Sequence, residues 1–314
     1  MELPTVIMTT WGDGLFVVTG DSLRQELAGR SAAGVIADGR GGALAIVDGR
    51  TLCRRAPEGE WRPLATTEVN LACCLVAGDR IYVGTDDARV LVIDEAGQVK
   101  PLTGLDSVAG RDLWYAGSAM VDGKLRGPPL GIRSLSVTCD GAVLLANVHV
   151  GGIPRSTDGG STWRPTIEID VDVHQVCAHP TRPGLVAAAA GAGLCLSRDA
   201  GATWTVETDG LHAPHCTAVG FSGEDVWVSA SVDQFASEGA VYRRPIDGAG
   251  PLTPLGSGFP RWTSGISDTG CIAVRGTEAA IADGAGNLYR RPTAQHGWSC
   301  LATGHPTPIG LAIL

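Results

Sequence analysis

The chain has 314 residues and a formal net charge of −9 at pH 7, with 44 glycines and 18 prolines. The acidic balance and the lack of an extended run of Lys or Arg exclude an electrostatic footprint for nucleic acid and disfavour an anionic membrane surface. No run of 18 apolar residues occurs, so we expect no membrane-spanning helix. Because the N-terminal sequence has no signal-peptide pattern and the nine cysteines form no CxxC pair, we expect a cytoplasmic protein with reduced thiols.

Short apolar segments separated by turn residues predict many short strands rather than helices. Two N-terminal strands, at 5–10 and 15–19, come first, and a single strand at 309–314 comes last. Between them lie six predicted four-stranded units, at about 35–65, 70–103, 134–167, 173–207, 215–255 and 271–301. A long interruption, 105–131, separates the second unit from the third.

Two octapeptides match, STDGGSTW at 156–163 and SRDAGATW at 197–204, and their tryptophans are 41 residues apart. That period is typical of one four-stranded propeller blade. In such a segment a Ser and an Asp can hydrogen-bond the backbone of a tight Gly-containing hairpin, while the Trp covers its apolar side. The predicted structural residues are Ser156, Asp158, Gly160 and Trp163 in the first copy, and Ser197, Asp199, Gly201 and Trp204 in the second.

These motifs resemble the Asp-box, or BNR, repeats of sialidase-like β-propellers of bacterial type. The resemblance implies an all-β, seven-bladed β-propeller with four-stranded blades, in which each motif joins the third and fourth strands at the periphery, away from the catalytic centre. We expect strand 309–314 to pair with the N-terminal blade and to complete a single domain over 1–314.

A typical sialidase mechanism is not expected. The resemblance implies an Arg-Ile-Pro segment near the start, three arginines and a Tyr–Glu pair. The first strand, at 5–10, has no arginine, and the segment 153–155 leads into an Asp-box. Three of the four tyrosines lie in predicted strands, which leaves Tyr115. Glycoside hydrolysis by two carboxylates stays an alternative, because it depends on the distance between the two carboxyl groups, which a sequence does not specify.

Histidines are predicted to gather at one end of the central channel. In a propeller, the loops that enter each inner strand and the loops between second and third strands share one face. That rule brings together His149, His174, His215 and His305 from four blades. Neutral imidazole ligates Zn, Fe, Mn and Cu, so one interpretation is a divalent metal site. The alternative is that each histidine caps a strand end or bonds a neighbouring loop. His212 and Asn147 fall on the same face, and His179 and His296 on the other.

Four aspartates lie in second-to-third-strand loops, where they could orient the histidines, ligate directly, or make Asx turns. They are Asp13, Asp86, Asp233 and Asp283.

The insertion 105–131 lies on the same face and is longer than ordinary loops. We interpret it as a lid over an axial pocket, with a packed decoration that seals an otherwise open channel as the alternative. It carries Arg111, Asp112, Trp114, Tyr115 and Met120. The candidate catalytic residues are His174, His215, Tyr115 and Arg111.

Two classes of function remain. One is an enzyme or small-molecule binder with a histidine-lined axial pocket, with or without a divalent metal ion. The other is a noncatalytic propeller that presents a face to another protein. Propellers host many functions, so the fold does not decide between them. The one-sided histidines and the insertion favour the first, and we expect a small molecule or a protein as the partner.

Overall fold

The computed structural model describes residues 5–20, 22–115, 119–121, 124–126, 130–248 and 250–314. Strands dominate it, and the helical segments are three 3₁₀ turns, at Thr103–Ser107, Arg111–Leu113 and Ile169–Val171. Within these ranges no helix has the length and apolarity that crossing a bilayer requires.

Apart from one two-stranded hairpin, the described strands form seven small antiparallel sheets. Blade I contains β1 (Thr5–Thr10), β2 (Leu15–Thr19) and β3 (Ser22–Glu26). Blade II contains β4 (Ala32–Ala37), β5 (Ala43–Val47), β6 (Thr51–Arg55) and β7 (Trp61–Thr66). Blade III contains β8 (Leu71–Ala77), β9 (Arg80–Thr85), β10 (Val90–Ile93) and β11 (Val99–Pro101). A separate hairpin of β12 (Ala119–Val121) and β13 (Lys124–Arg126) follows.

The remaining blades repeat this plan. Blade IV contains β14 (Ile132–Val137), β15 (Leu144–Val148) and β16 (Arg155–Ser156), and its fourth strand is reduced to a bridge between Arg155 and Arg164. Blade V contains β17 (Val173–Ala178), β18 (Val186–Ala190), β19 (Gly193–Ser197) and β20 (Thr205–Glu207). Blade VI contains β21 (His215–Ser222), β22 (Asp225–Ser231), β23 (Glu238–Pro245), β24 (Thr253–Pro254) and the side strand β25 (Thr263–Ser264). Blade VII contains β26 (Ile272–Arg275), β27 (Glu278–Ala282), β28 (Leu288–Arg291) and β29 (Ser299–Ala302).

The last strand, β30 (Pro308–Ile313), closes the ring, which confirms the predicted seven-bladed architecture. It pairs antiparallel with β1, with Val6 opposite Ile313, and becomes the inner strand of blade I. The inner strand of each blade contacts the inner strand of the next, and β30 contacts both β26 and β4. The ring therefore leaves no inner strand without a neighbour on either side.

Seven apolar clusters hold the ring together, one between each pair of neighbouring blades. Strand alternation sends successive side chains to opposite faces of a blade. In β18, Ala187 and Ala189 pack toward blade VI, while Ala188 and Ala190 pack toward blade IV. This alanine run is explained by the close approach of both neighbours, because larger side chains would push the blades apart.

One outer strand was not expected from the sequence. β3 has the sequence SLRQE, which contains one apolar residue and therefore no apolar alternation that would predict a strand. Its side chains are mostly exposed. Its backbone nevertheless pairs with β2 over five residue pairs, from Leu15 opposite Glu26 to Thr19 opposite Ser22. Neighbouring backbone, rather than side-chain pattern, stabilises this edge.

Candidate functional site

A cavity of about 1010 Å³ lies where the inner strands converge on the axis. Residues from all seven blades line it, and its volume is at the upper end of ordinary ligand sites. Three of the four predicted histidines line it: His149, His174 and His215. The predicted one-sided arrangement of histidines is therefore present for these three.

β-Bulges in the inner strands direct side chains into this cavity. In β17 the register passes from Val173 to Gln175, which leaves His174 without a partner across the strand pair. β14 skips Arg133 in the same way, and β8 skips Ala72. A bulged residue is released from the ladder and its side chain is re-aimed. The same local irregularity thus places His174 and Arg133 at equivalent positions of adjacent blades.

His149, Asp172 and His174 form a compact group whose ligating atoms all lie within 4.8 Å of one another. The Nε2 atom of His149 lies 3.6 Å from Oδ1 of Asp172, and Nε2 of His174 lies 3.5 Å from Oδ2. Both separations exceed the usual hydrogen-bond range. In a tetrahedral site with bonds of about 2.0–2.1 Å, neighbouring donor atoms lie roughly 3.3 Å apart. The two His–Asp separations, each to a different carboxylate oxygen, are slightly longer, so an ion would draw the three side chains closer together.

Backbone geometry fixes Asp172 in this position. It ends the 3₁₀ turn Ile169–Val171 in the left-handed region, with φ of 55°. Its carbonyl accepts a hydrogen bond from the N–H of Gly191 at 2.8 Å. A Cβ on Gly191 would lie 3.2 Å from Oδ2 of Asp172, so glycine leaves room for the carboxylate. Non-glycine residues in this region are uncommon and often mark functional positions.

The hydrogen bond of His174 determines which nitrogen faces the carboxylate. Its Nδ1 lies 2.7 Å from the carbonyl oxygen of Cys216 in blade VI. A carbonyl oxygen only accepts, so Nδ1 carries a proton, and in the neutral ring Nε2 has a lone pair. That lone pair faces Asp172, and either a cation between the two groups or a proton on Nε2 makes the contact favourable. In metal sites, a histidine ligand is commonly oriented by such a bond from its other nitrogen.

Burial controls protonation in the group. Burial, with a smaller contribution from Arg133, lowers the pKa of His149 to about 4. Burial and the neighbouring His174 lower the pKa of His215. Burial acts to raise the pKa of Asp172, but His174 and His149 outweigh it, and that pKa lies below its usual range. At neutral pH, His149 and His215 are therefore neutral and Asp172 is ionised, which are the forms that ligate metals.

His215 stands beside the group without joining it. Its ring centroid is 4.8 Å from that of His174, and its buried Nε2 has no hydrogen-bond partner among the described residues. The Nδ1 of His149 is in the same condition. Most buried polar atoms have a hydrogen-bond partner, so these two nitrogens are candidates to bond a water or a polar ligand.

Arg133 supplies the cationic group of the cavity. Its guanidinium donates to Oγ1 of Thr269 at 3.1 Å and lies 3.5 Å from a carboxylate oxygen of Asp268. Thr269 in turn donates to the backbone carbonyl of His174 at 3.2 Å. The segment that enters blade VII thus connects Arg133 to the histidine strand.

His305 does not join the other three histidines, contrary to the sequence-based expectation. Its ring packs on Phe16, with centroids 4.5 Å apart, and it is not among the described residues that line the cavity. His212 lies outside the lining as well, because its ring stacks on Tyr242 and its Nδ1 lies 2.9 Å from the tyrosine hydroxyl. For both residues, contact with a neighbouring aromatic side chain explains the position.

The first part of the insertion, 105–115, packs against the blades. Leu105, Val108 and Trp114 are buried in the cluster between blades III and IV. Arg111 donates to the carbonyl of Ala88 at 2.9 Å and lies over the Trp114 ring.

Within 103–115, no described residue lines the cavity, so this part of the insertion neither forms a lid over the cavity nor seals its channel. Arg111 and Tyr115, two of the candidate catalytic residues, therefore lie outside the cavity lining. Residues 116–118, 122–123 and 127–129 of the insertion lie outside the described residues, and Met120 is described only in its backbone.

Each of the four loop aspartates accepts hydrogen bonds from the protein. Asp233 accepts from the N–H of Phe235 at 2.8 Å, and Asp283 accepts from Ala285 and Asn287. Asp13 accepts from the Gln25 side chain and Asp86 from that of Asn70. None of the four is among the described lining residues, so the Asx-turn alternative describes Asp233 and Asp283.

Both octapeptides form the same turn. In the first, Ser156 Oγ accepts from the N–H of Gly160 at 2.8 Å, and Asp158 accepts from the N–H and the hydroxyl of Thr162. The second copy repeats these bonds with Ser197, Gly201, Asp199 and Thr203. Trp163 and Trp204 are tied down through their indole N–H groups, to the carbonyl of Gly160 and the hydroxyl of Thr166. These residues stabilise the periphery of blades IV and V.

Sequence reasoning missed three charged residues of the cavity: Arg133, Asp172 and Asp268. The segment Asp172-Val173-His174 places two ligand types two residues apart at the start of an inner strand, and that spacing was the available signal. Arg133 reaches the cavity through the β-bulge in β14. Asp268 reaches it from the loop between β25 and β26. The sequence gives no sign of either.

Comparisons with known proteins agree on the fold alone. An ancestral GH74 enzyme superposes with a TM-score of 0.62 at 12% identity, covering 98% of this chain and 40% of that one, so this chain spans about two fifths of it. A putative 6-phosphogluconolactonase from Bacteroides fragilis NCTC 9343 gives a TM-score of 0.63 at 14% identity, covering 99% and 98%. YCF48 bound to D1 peptide gives 0.62 at 12% identity, covering 90% and 92%. No family model and no curated protein matches the sequence, and in fold the chain is similar to these propellers.

Proposed function

We propose that the chain is a small-molecule-binding propeller whose axial cavity carries a divalent metal ion on His149, Asp172 and His174. The observation that supports this most directly is the pair of imidazole nitrogens facing one carboxylate at 3.5 and 3.6 Å, with the His174 ring held by the Cys216 carbonyl so that Nε2 faces that carboxylate. Two imidazoles and one carboxylate suit Zn, Fe and Mn, and they leave coordination positions open. A ligand in the cavity would occupy those positions, and the ion would polarise a carbonyl or a water bound there.

A zinc titration tests the proposal. The protein is stripped with a chelator and titrated with ZnCl₂ in competition with a chromogenic chelator. We expect one site per chain in the wild type, and binding at least about 100-fold weaker in Asp172→Asn. Asparagine tolerates the left-handed backbone of this residue, so the fold should persist, as circular dichroism would verify.

Asp170→Asn is the matched control. It removes the same charge from an exposed residue of the same turn and should bind zinc like the wild type. Equal zinc affinity in Asp172→Asn and the wild type, or no stoichiometric binding in the wild type, would rule the proposed site out.

A protein-interaction module is the second candidate. The exposed side chains of Trp11, Val232 and Phe235 lie in second-to-third-strand loops on the cavity face, and a protein partner would cover them. One of the similar structures is YCF48 bound to D1 peptide. Metal binding that leaves every small-molecule probe unbound would favour this candidate.

Glycoside hydrolysis has less support. The described lining contains two carboxylates, Asp172 and Asp268, and a two-carboxylate mechanism needs one carboxyl whose pKa is raised. The pKa of Asp172 is lowered instead, so this carboxyl does not suit the role of the acid. The lining also has one arginine and no tyrosine among its described residues, which does not suit a sialidase.

The peripheral turns support membership of the Asp-box propellers as part of the proposal, because both copies make the same Ser, Asp and Trp contacts. All nine cysteines are free, which suits a reducing compartment such as the cytoplasm.

A further inference from the structure

The cavity has two chemically different walls. Its charged and imidazole groups, among the described lining residues, all come from blades IV to VII: Arg133, His149, Asp172, His174, His215 and Asp268. We call these six residues the polar wall. Blades I to III contribute apolar or thiol side chains, including Val35, Ile36, Ala72, Cys74, Ile309 and Leu311, which we call the apolar wall.

The division follows equivalent positions of the repeat. The bulged residue is Arg133 in blade IV and His174 in blade V, but Ala72 in blade III. The same β-bulge thus presents a methyl group in blade III, a guanidinium in blade IV and an imidazole in blade V. The thiols of the apolar wall behave as small apolar groups, since burial raises the pKa of Cys73 to about 12 and Cys74 donates to the carbonyl of Gly34 at 2.9 Å.

The net charge of the polar wall determines which ligand charge the cavity favours. One guanidinium and two carboxylates give the wall a formal charge of minus one, and a divalent ion on His149, Asp172 and His174 changes it to plus one. A monoanion neutralises this charge, whereas a dianionic phosphate monoester would leave an excess negative charge. Arg133 offers a planar fork of donors that matches a carboxylate.

The mouth of the cavity continues the apolar surface. Trp11 and Phe235 both line it, with side chains 76% and 77% exposed. Exposed aromatic rings at the rim of a pocket cover the planar or apolar part of a ligand.

We infer that the cavity binds a monocarboxylate with an apolar body: the carboxylate lies between the metal ion and Arg133, and the body lies on the apolar wall. This inference rests on the proposed function, because the metal ion reverses the charge of the polar wall. With one hydrogen-bonding, charged end and one large apolar side, the cavity suits a ligand with the same asymmetry.

Calorimetric titration of four probes tests the inference on the full chain, zinc-loaded and zinc-free. The probes are 3-phenylpropionate, its primary amide, acetate and phenyl phosphate. We expect 3-phenylpropionate to bind the zinc-loaded protein at least about tenfold tighter than each of the other three, and to bind the zinc-free protein at least about tenfold more weakly.

Two variants locate the two ends of the ligand. Arg133→Gln should weaken 3-phenylpropionate by about tenfold with zinc content unchanged, while Arg62→Gln, which alters an exposed arginine on the outer strand of blade II, should have no effect. Ala72→Asn places a polar group on the apolar wall and should weaken 3-phenylpropionate while zinc affinity stays at the wild-type value.

The outcomes separate the two proposals. Zinc binding with equal affinity for the acid and its amide, or with tighter binding of phenyl phosphate, would overturn the carboxylate inference and leave the metal site standing. No stoichiometric zinc binding would overturn the metal site, and the inference with it. Tight, zinc-dependent binding of the acid that Ala72→Asn does not weaken would overturn the role of the apolar wall.

Discussion

The Nδ1 atom of His174 in blade V lies 2.7 Å from the carbonyl oxygen of Cys216 in blade VI. This bond crosses the boundary between two blades, so the orientation of the imidazole depends on how the blades pack. It fixes the proton on Nδ1 and leaves Nε2 facing Asp172. A side chain whose tautomer is set by backbone is ready to ligate without rearrangement, which reduces the cost of binding an ion.

Replacing single histidines by alanine is expected to change the zinc affinity to very different extents. His149→Ala and His174→Ala should each weaken zinc binding by at least about 100-fold, because each removes one donor of a three-residue group. His305→Ala should keep the wild-type affinity, since that ring packs on Phe16 instead. A chelator-competition titration measures all three. Loss of zinc in His305→Ala would mean that the fourth predicted histidine belongs to the site after all.

Gly191 is expected to position the carboxylate without contacting the metal. Gly191→Ala would place a methyl group 3.2 Å from Oδ2 of Asp172 and displace that carboxylate by a few tenths of an ångström. Zinc affinity should fall by about tenfold while the melting temperature stays close to that of the wild type. Gly250→Ala, at a position with open space around it, is the control. Unchanged zinc affinity in Gly191→Ala would contradict this positioning role.

Pairing of the last strand, β30, with β1 should contribute strongly to the stability of the whole propeller against unfolding. Deletion of 309–314 removes most of the inner strand of blade I and exposes β1 and β4, so cooperative thermal unfolding should be lost or strongly shifted downward. The milder variant Ile313→Ala, in the cluster between blades VII and I, should cost about 2–4 kcal/mol in urea unfolding. Leu23→Ala, on the exposed outer strand of the same blade, should change little. A deletion variant that melts like the full chain would refute this closure.

The two peripheral turns should contribute acid-sensitive stability. Hydrogen bonds from Thr162 and Ser156 lower the pKa of Asp158 to about 2. At Asp199 burial acts to raise the pKa, but bonds from Thr203 and Ser197 outweigh it and bring it to about 2. Because both folded-state values lie below the ordinary 3.8, the contribution is complete above about pH 4 and is lost as the pH falls through about 2.

The double variant Asp158→Asn, Asp199→Asn tests this pH dependence. Its urea midpoint should be lower than that of the wild type at pH 6, and it should fall less between pH 5 and pH 2. Asp170→Asn should follow the wild-type profile. A variant whose midpoint falls as steeply as that of the wild type would show that other groups cause the acid sensitivity.

Local signals were enough to predict the fold. The 41-residue spacing of Trp163 and Trp204 gives the blade length, and Gly-rich turns mark the strand ends. The missing inner strand at the start and the single strand at the end together required β30 to pair with β1. β3 escaped prediction because the polar segment SLRQE forms a strand only through its neighbour's backbone.

The site was predictable only in part, because its contacts join residues that are distant along the chain. The rule that entry loops and second-to-third-strand loops share a face brought His149, His174 and His215 together. The same rule failed for His305, since a face does not specify whether a ring points to the axis or onto Phe16. Arg133 lies in the site because of a β-bulge, and no residue pattern in β14 predicts that register shift.

X-ray absorption at the zinc edge of the zinc-loaded protein tests the metal centre most directly. Zinc–nitrogen and zinc–oxygen bonds of about 2.0–2.1 Å are distinguishable from zinc–sulfur bonds of about 2.3 Å. The expected spectrum contains two imidazoles and additional oxygen donors with no sulfur, and Asp172→Asn should lose it. A sulfur shell, or a spectrum without imidazole, would contradict a centre built on His149, Asp172 and His174.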